Sequence, residues 1–145
     1  MLSKKTQYAI YALVRLAREY DSAPVLIATI AESEKIPRKF LENILLELKN
    51  SGFVNSKKGK GGGYYLIKNP SEINLADVIR YFDGAIAMLP CASFKYYESC
   101  NHCKDENTCG VRNIIKEVRD ESVRILKNRT LEDVLCIENQ LKGEK

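Results

Sequence analysis

The sequence predicts a mainly α protein with a small β-wing: a winged helix-turn-helix followed by a long C-terminal helix suited to dimerisation. Three observations carry this. Two helical patterns, at about 28–34 and 37–50, are separated by a two-residue turn. A hairpin follows, with Lys57-Lys58-Gly59-Lys60 and Gly61-Gly62-Gly63 at its tip. Far from both, an apolar stripe recurs from Val111 to about Lys127.

The first helix runs from Ser3, a residue type that accepts a backbone hydrogen bond at helix starts, to about Tyr20. Tyr8, Ala9, Ala12, Leu13, Leu16 and Ala17 fall on one face. Asp21-Ser22-Ala23-Pro24 ends it, and Val25-Leu26-Ile27 is a short extended piece able to pair with the wing. In the second of the paired helices Pro37 sits in the first turn, where its missing N–H costs nothing. Phe40, Leu41, Ile44, Leu45 and Leu48 point inward, leaving Arg38, Lys39, Glu42, Asn43 and Glu47 outside. Gly52 closes that helix. Phe53-Val54 and Tyr64-Tyr65-Leu66-Ile67 form the hairpin strands, and Asn69-Pro70-Ser71 breaks the second.

Leu75 to Phe82 is a further short helix. Residues 85–109 have neither helical nor strand period, and an irregular loop of that length within a compact chain points to function or disorder. Val111, Ile114, Ile115, Val118, Ile125 and Leu126 mark the long helix. Thr130-Leu131-Glu132-Asp133 resembles a capping box for a last helix through about Leu135. The expected division is residues 1–84 for the winged helix (helix-turn-helix about 28–50, wing 53–67), 85–110 for a cysteine loop, 111–136 for the dimerisation and last helices, and 137–145 for a polar tail.

A chain of 145 residues with 45% hydrophobic content is enough for one core. No apolar run is long enough to span a bilayer, and the start lacks the apolar core of a signal peptide. The expected location is cytoplasmic, with no membrane partner. A single histidine, no paired acid–base signature and no nucleotide loop argue against an enzyme. The net charge of +4 is unevenly spread. Residues 1–68 hold 12 Lys+Arg against 6 Asp+Glu; residues 69–145 hold 11 against 13. The positive field lies on the half with the helix-turn-helix, as phosphate binding requires.

A helix-turn-helix places its second helix in the major groove of double-stranded DNA, with its N-terminal residues at base edges. Arg38 is suited to guanine through a bidentate contact, and Asn43 to adenine. Glu42 accepts from cytosine or orients Arg38, beside Lys39. At the wing, Lys57, Lys58 and Lys60 supply charge for counterion release. The glycines between them let the backbone turn tightly and approach a phosphate or the minor groove.

Three segments together resemble a known family. They are Ser3-Lys-Lys-Thr-Gln-Tyr-Ala-Ile-Tyr-Ala-Leu13, the Ile36-Pro-x-x-Phe-Leu-Glu-x-Ile-Leu45 helix and the Gly59-Lys-Gly-Gly-Gly-Tyr-Tyr-Leu66 wing. This combination resembles the Rrf2 family of bacterial winged-helix transcription regulators, the group of IscR, NsrR and CymR, over about residues 1–136. The resemblance implies a homodimer joined through the Val111–Lys127 helix and a pseudopalindromic operator.

Five cysteines are present, four of them (Cys91, Cys100, Cys103 and Cys109) within 19 residues. In a cytosolic chain such clustering suggests metal or redox chemistry. The resemblance implies three ligands for a 2Fe–2S or 4Fe–4S cluster at Cys91, Cys103 and Cys109. The twelve-residue step from Cys91 to Cys103 is longer than the family's usual one, and Cys100 lies in the insertion. The family's fourth ligands do not carry over: a histidine three residues past the last cysteine is Arg112 here, and an aspartate on the first helix is Gln7. Cys100 supplies the fourth ligand in an all-cysteine site, with His102 the runner-up. The alternatives are zinc on the same thiolates, a thiol–disulfide switch between Cys100 and Cys103 or Cys109, or a protein-interaction module of the CymR type with a protein partner. Lys104 and Arg112 are placed to offset thiolate charge. Cys136, beside Val134, Leu135 and Ile137, reads as a buried small hydrophobe.

Overall fold

The computed structural model describes residues 2–143. Helix α1 spans Lys4–Arg18. Ser3 Oγ accepts from the Thr6 N–H at 3.1 Å, satisfying one of the donors that a helix start leaves orphaned. Helices α2 (Ile27–Glu34) and α3 (Arg38–Asn50) follow. Lys35 joins them in a left-handed conformation, φ 54°, which folds the chain back within three residues. Pro37 stands at the cap position just ahead of α3. It leaves all of the helix's own donors intact, and its carbonyl accepts from the Leu41 N–H at 2.9 Å.

Leu41, Ile44, Leu45 and Leu48 of α3 are fully buried. Two of its other residues depart from the periodicity. Phe40 is 38% exposed and meets Tyr8 edge-to-face, with centroids 5.6 Å apart. Glu47 is half-buried and paired with Lys5 of α1, and its carbonyl accepts from the Tyr81 hydroxyl at 3.1 Å. At 100° per residue both lie on the edge of the buried face, where a neighbouring helix decides their environment.

Strands β1 (Val54–Lys57) and β2 (Gly63–Leu66) pair antiparallel, with Val54 opposite Leu66 and Lys57 opposite Gly63. Val25 bridges to Tyr64 through two 2.8 Å hydrogen bonds, so the chain ahead of α2 acts as a third edge on the wing. Close packing explains two of the glycines. A Cβ on Gly62 would sit 2.2 Å from the Lys57 carbonyl oxygen, and one on Gly63 2.4 Å from that of Val25. Both are required by the chain's own backbone, whatever the hairpin tip approaches.

Helices α4 (Leu75–Asp83), α5 (Gly110–Lys127) and α6 (Leu131–Gly143) complete the chain. The expected capping box is present: the Thr130 N–H donates to Asp133 Oδ2 at 2.9 Å and the Asp133 N–H to Thr130 Oγ1 at 3.2 Å. Helix α6 continues well past Leu135 and takes in most of the stretch expected as a tail; residues 144–145 lie outside the described residues. It packs on α1, with Arg18 reaching Glu138 at 2.5 Å. Leu131 is fully buried in the core formed by Ala9, Leu13 and Leu16 of α1, Ile30, the α3 leucines, Val54, Leu66 and Val78. No helix of the described residues is long and apolar enough to cross a membrane.

Asp83 ties the end of α4 to the start of α1 by accepting from the Ser3 hydroxyl and the Ser3 N–H. Burial pushes its carboxyl upward, but hydrogen bonds from Ser3 and Thr6 outweigh this and hold it below its ordinary value. A folded-state value below the unfolded one stabilises the protein above the ordinary carboxylate range, and that stability is lost as the pH falls through the folded value. Asp83→Asn is expected to remove about 0.5 kcal/mol at neutral pH, a figure discounted for solvent screening. The gap to wild type should close below pH ~4. Urea midpoints for both proteins across that range provide the check; a gap unchanged by acid counts against the linkage.

Candidate DNA-binding face and cysteine loop

Arg38, Lys39, Glu42 and Asn43 all lie exposed on the first two turns of α3. Arg38 Nε stands 3.8 Å from Glu42 Oε1, one helical turn on, so the carboxylate restrains the guanidinium while leaving most of its donors free. Lys57, Lys58 and Lys60 are exposed on the wing. The periodicity did not single out Lys49, whose ammonium donates to Ser56 Oγ at 2.9 Å and links the end of α3 to β1. Its signal is position alone: a basic residue in the last turn.

The chain from Gly84 to Cys109 is irregular apart from two 3₁₀ turns, Pro90–Ala92 and Glu106–Thr108. Cys91 is buried in the first; Cys103 and Cys109 are half-buried, and Cys100 is exposed. Cys109 caps α5, its sulfur accepting from the Arg112 N–H at 3.4 Å. Arg112 does not sit free to offset thiolate charge. Its Nε donates to the Cys91 carbonyl at 3.0 Å and its guanidinium lies 3.8 Å from Glu106. Gln7 donates to the Leu2 carbonyl.

Arg119 is the residue that the sequence reading missed. It is 8% exposed, donates to the Ala92 carbonyl at 2.6 Å and pairs with Asp120 at 2.7 Å. Its guanidinium also stacks 3.8 Å from the Phe94 ring centroid. Arg112, Ile115, Arg119, Val123 and Leu126 recur at three- and four-residue steps, so both arginines share the inner face of α5. Two arginines seven residues apart on a helix's apolar side were the available signal. The outer face carries Val111, Ile114, Val118 and Ile125, between 42% and 65% exposed on the single chain.

The four loop cysteines were expected to form one ligand set. Among the described residues, no three His, Cys, Asp or Glu side chains are gathered to hold a metal ion. Cys91 is buried in its turn, Cys109 is engaged as a helix cap and Cys100 points to solvent. As placed, these residues do not fit an iron–sulfur cluster or a zinc ion. The thiols nonetheless share one neighbourhood: partial desolvation, then Cys109, Cys100 and Cys91, raise the Cys103 thiol above its ordinary value. Cys136 is exposed on α6, not buried, because α6 turns Leu131 toward the core instead.

Two helices meeting at a left-handed turn, with an antiparallel hairpin bridged back to the chain ahead of them, define a winged helix-turn-helix. A basic, exposed recognition helix on that scaffold marks a DNA-binding transcription regulator and not an enzyme. Residues 2–137 match the profile of the Rrf2 family, described as iron-dependent transcriptional regulators, and the chain belongs to that family. An rrf2-like HTH-type regulator of Rhodobacter capsulatus is 40% identical over 142 residues, covering 96% of this chain and 95% of its own. The structure of CymR, the global cysteine regulator of B. subtilis, superposes with a TM-score of 0.78 at 28% identity, covering 92% of this chain and 95% of its own. That of T. potens IscR gives 0.76 at 25%, covering 95% and 88%.

Proposed function

We propose that this protein is a homodimeric regulator whose grip on a pseudopalindromic operator is set by the thiols of the 85–110 loop, without an iron–sulfur cluster. One observation carries the coupling. Arg112 and Arg119 fasten the backbone of Cys91 and Ala92 to the inner face of α5, and Cys109 caps the same helix. A chemical change at the thiols acts directly on α5, whose outer apolar face is the dimer contact. Moving α5 moves the two recognition helices relative to each other. Similarity to Staphylococcus aureus CymR, whose structure is that of an oxidised form, supports a redox-linked signal.

On the DNA, Arg38, Lys39, Glu42 and Asn43 read or frame bases from the major groove, and Lys57, Lys58 and Lys60 hold the backbone or minor groove. The protein acts in the cytoplasm, on residues 1–84 for DNA, 85–110 for sensing and 111–136 for pairing.

Titration against genomic duplexes, read by fluorescence anisotropy over a salt series, tests the DNA assignment. Lys60→Ala is expected to weaken all bound sequences alike and to make the salt slope shallower by about one per protomer. Loss confined to selected sequences overturns the backbone role of Lys60. Absence of any specific, salt-sensitive binding by the wild type overturns the DNA reading and leaves a protein-interaction module. Alkylating every thiol should change operator affinity; if it does not, the sensing assignment fails.

A further inference from the structure

We propose that Cys100 and Cys103 are a redox-active dithiol that closes to an intramolecular disulfide on reaction with a hydroperoxide, and that this closure is the loop's sensory event. The second half rests on the thiol-sensing reading above; the first does not.

The fold already sets this pair for closure. The Cys103 N–H donates to the Cys100 carbonyl at 3.1 Å, so Cys100-Asn101-His102-Cys103 is a hydrogen-bonded turn. Such a turn holds its end Cα atoms within about 7 Å, and a disulfide needs about 4.4–6.8 Å. Exposure assigns the roles. Cys100 is open to solvent and meets the oxidant, whereas Cys103 is half-buried and resolves the product. Of the other thiols in the loop, Cys91 is buried, and the Cys109 sulfur accepts from the Arg112 N–H at the start of α5, which leaves a Cys103–Cys109 bond as the competing closure.

The chemistry balances. The Cys100 thiolate attacks the terminal peroxide oxygen; the O–O bond breaks, the alkoxide leaves and takes a proton to become an alcohol, and the sulfur becomes a sulfenic acid. Cys103 then loses its proton and attacks that sulfur. The S–S bond forms and hydroxide leaves, protonated to water. Two thiols and one hydroperoxide yield one disulfide, one alcohol and one water, and an excess of small thiol reverses the bond by exchange. Closure ties the Cys103 sulfur to Cys100, within the segment that leads from the Cys91 turn to the Cys109 cap of α5.

Tryptic cleavage distinguishes the possible pairings. Residues 96–104 carry Cys100 and Cys103 on one peptide, and residues 105–112 carry Cys109 on the next. After treatment of the full chain with hydrogen peroxide or cumene hydroperoxide, peptide 96–104 should appear two hydrogens lighter and resist alkylation. Dithiothreitol should restore it, and Cys100→Ser should abolish the product while Cys136→Ser leaves it intact. A cross-link between peptides 96–104 and 105–112, or a disulfide between chains, overturns the pair. In the same samples, affinity for a genomic duplex selected for tight binding should shift by about 5- to 150-fold, and Cys103→Ser should remove the shift. An affinity that responds to peroxide without closure of the pair overturns the pair and leaves the thiol-sensing reading standing. Closure with unchanged affinity keeps the dithiol chemistry and overturns the sensing reading.

Discussion

Replacing Gly63 with alanine is expected to detach the wing and abolish specific DNA binding. Gly63 has φ 143°, a conformation that side chains oppose, and an added Cβ would meet the Val25 carbonyl oxygen at 2.4 Å and the Leu26 nitrogen at 2.9 Å. Both are backbone atoms, so no rotamer change relieves the contact. Val25 and Tyr64 must part, which breaks the two 2.8 Å hydrogen bonds that bridge them. Backbone strain of about 1–3 kcal/mol and about 1 kcal/mol for each lost hydrogen bond give a cost of about 3 kcal/mol or more. Gly61→Ala is the matched control: its φ of 76° is also left-handed, but its Cβ would meet nothing within 4 Å. Urea unfolding and DNA titration of the two variants should separate them clearly. Equal stability in both would show that the wing is not locked to Val25.

What the sequence made legible follows from where each element's partners lie. α1 and α3 carry four or more apolar residues on one face, and that face is buried within a few turns of chain. Periodicity reads such elements well. Ser3 as a cap and the Thr130–Asp133 box are equally local, each decided by residue type and a three-residue spacing; Val25 was legible as a short extended piece, although its partner Tyr64 lies far along the chain. Contacts across long separations were not legible. Glu47 finds Lys5 from 42 residues away, and Glu138 finds Arg18 from 120; neither pairing leaves a mark within any window. The second helps to explain why α6 outruns its apolar pattern. The cysteine loop shows the same division. Spacing identified which thiols share a segment, and Cys100-x-x-Cys103 proved to be a closed turn. Spacing carries no information on where each sulfur points, and that depends on two 3₁₀ turns and on arginines from α5, 21 and 27 residues from the carbonyls they hold.

The outer face of α5 leads to the other large effect. Ile114→Glu is expected to convert the dimer to a monomer and to lower operator affinity by about two to four orders of magnitude, the range that joining two contacts supplies. Val111, Ile114, Val118 and Ile125 are separated by three, four and seven residues, the seam of a helix packed against another helix. On the single chain Ile114 is 62% exposed and Val111 65%, a stripe that water penalises until a second surface covers it. The inner face is already occupied by the loop and α4, so the partner must come from outside the chain. A glutamate at the seam buries an unpaired charge in every assembled dimer, and a symmetric interface incurs that cost twice. The monomer's own core is untouched, because Ile114 takes no part in it. Separated subunits still recognise a half-site, but they lose the effective concentration that joins two half-site contacts into one. Sedimentation velocity should show the change in mass, thermal melting a folded monomer, and anisotropy a weak, half-site affinity. Ile114→Leu should remain dimeric and bind normally. A dimer of unchanged affinity in the glutamate variant would place the interface on another surface, and with it the route by which the cysteine loop reaches the DNA.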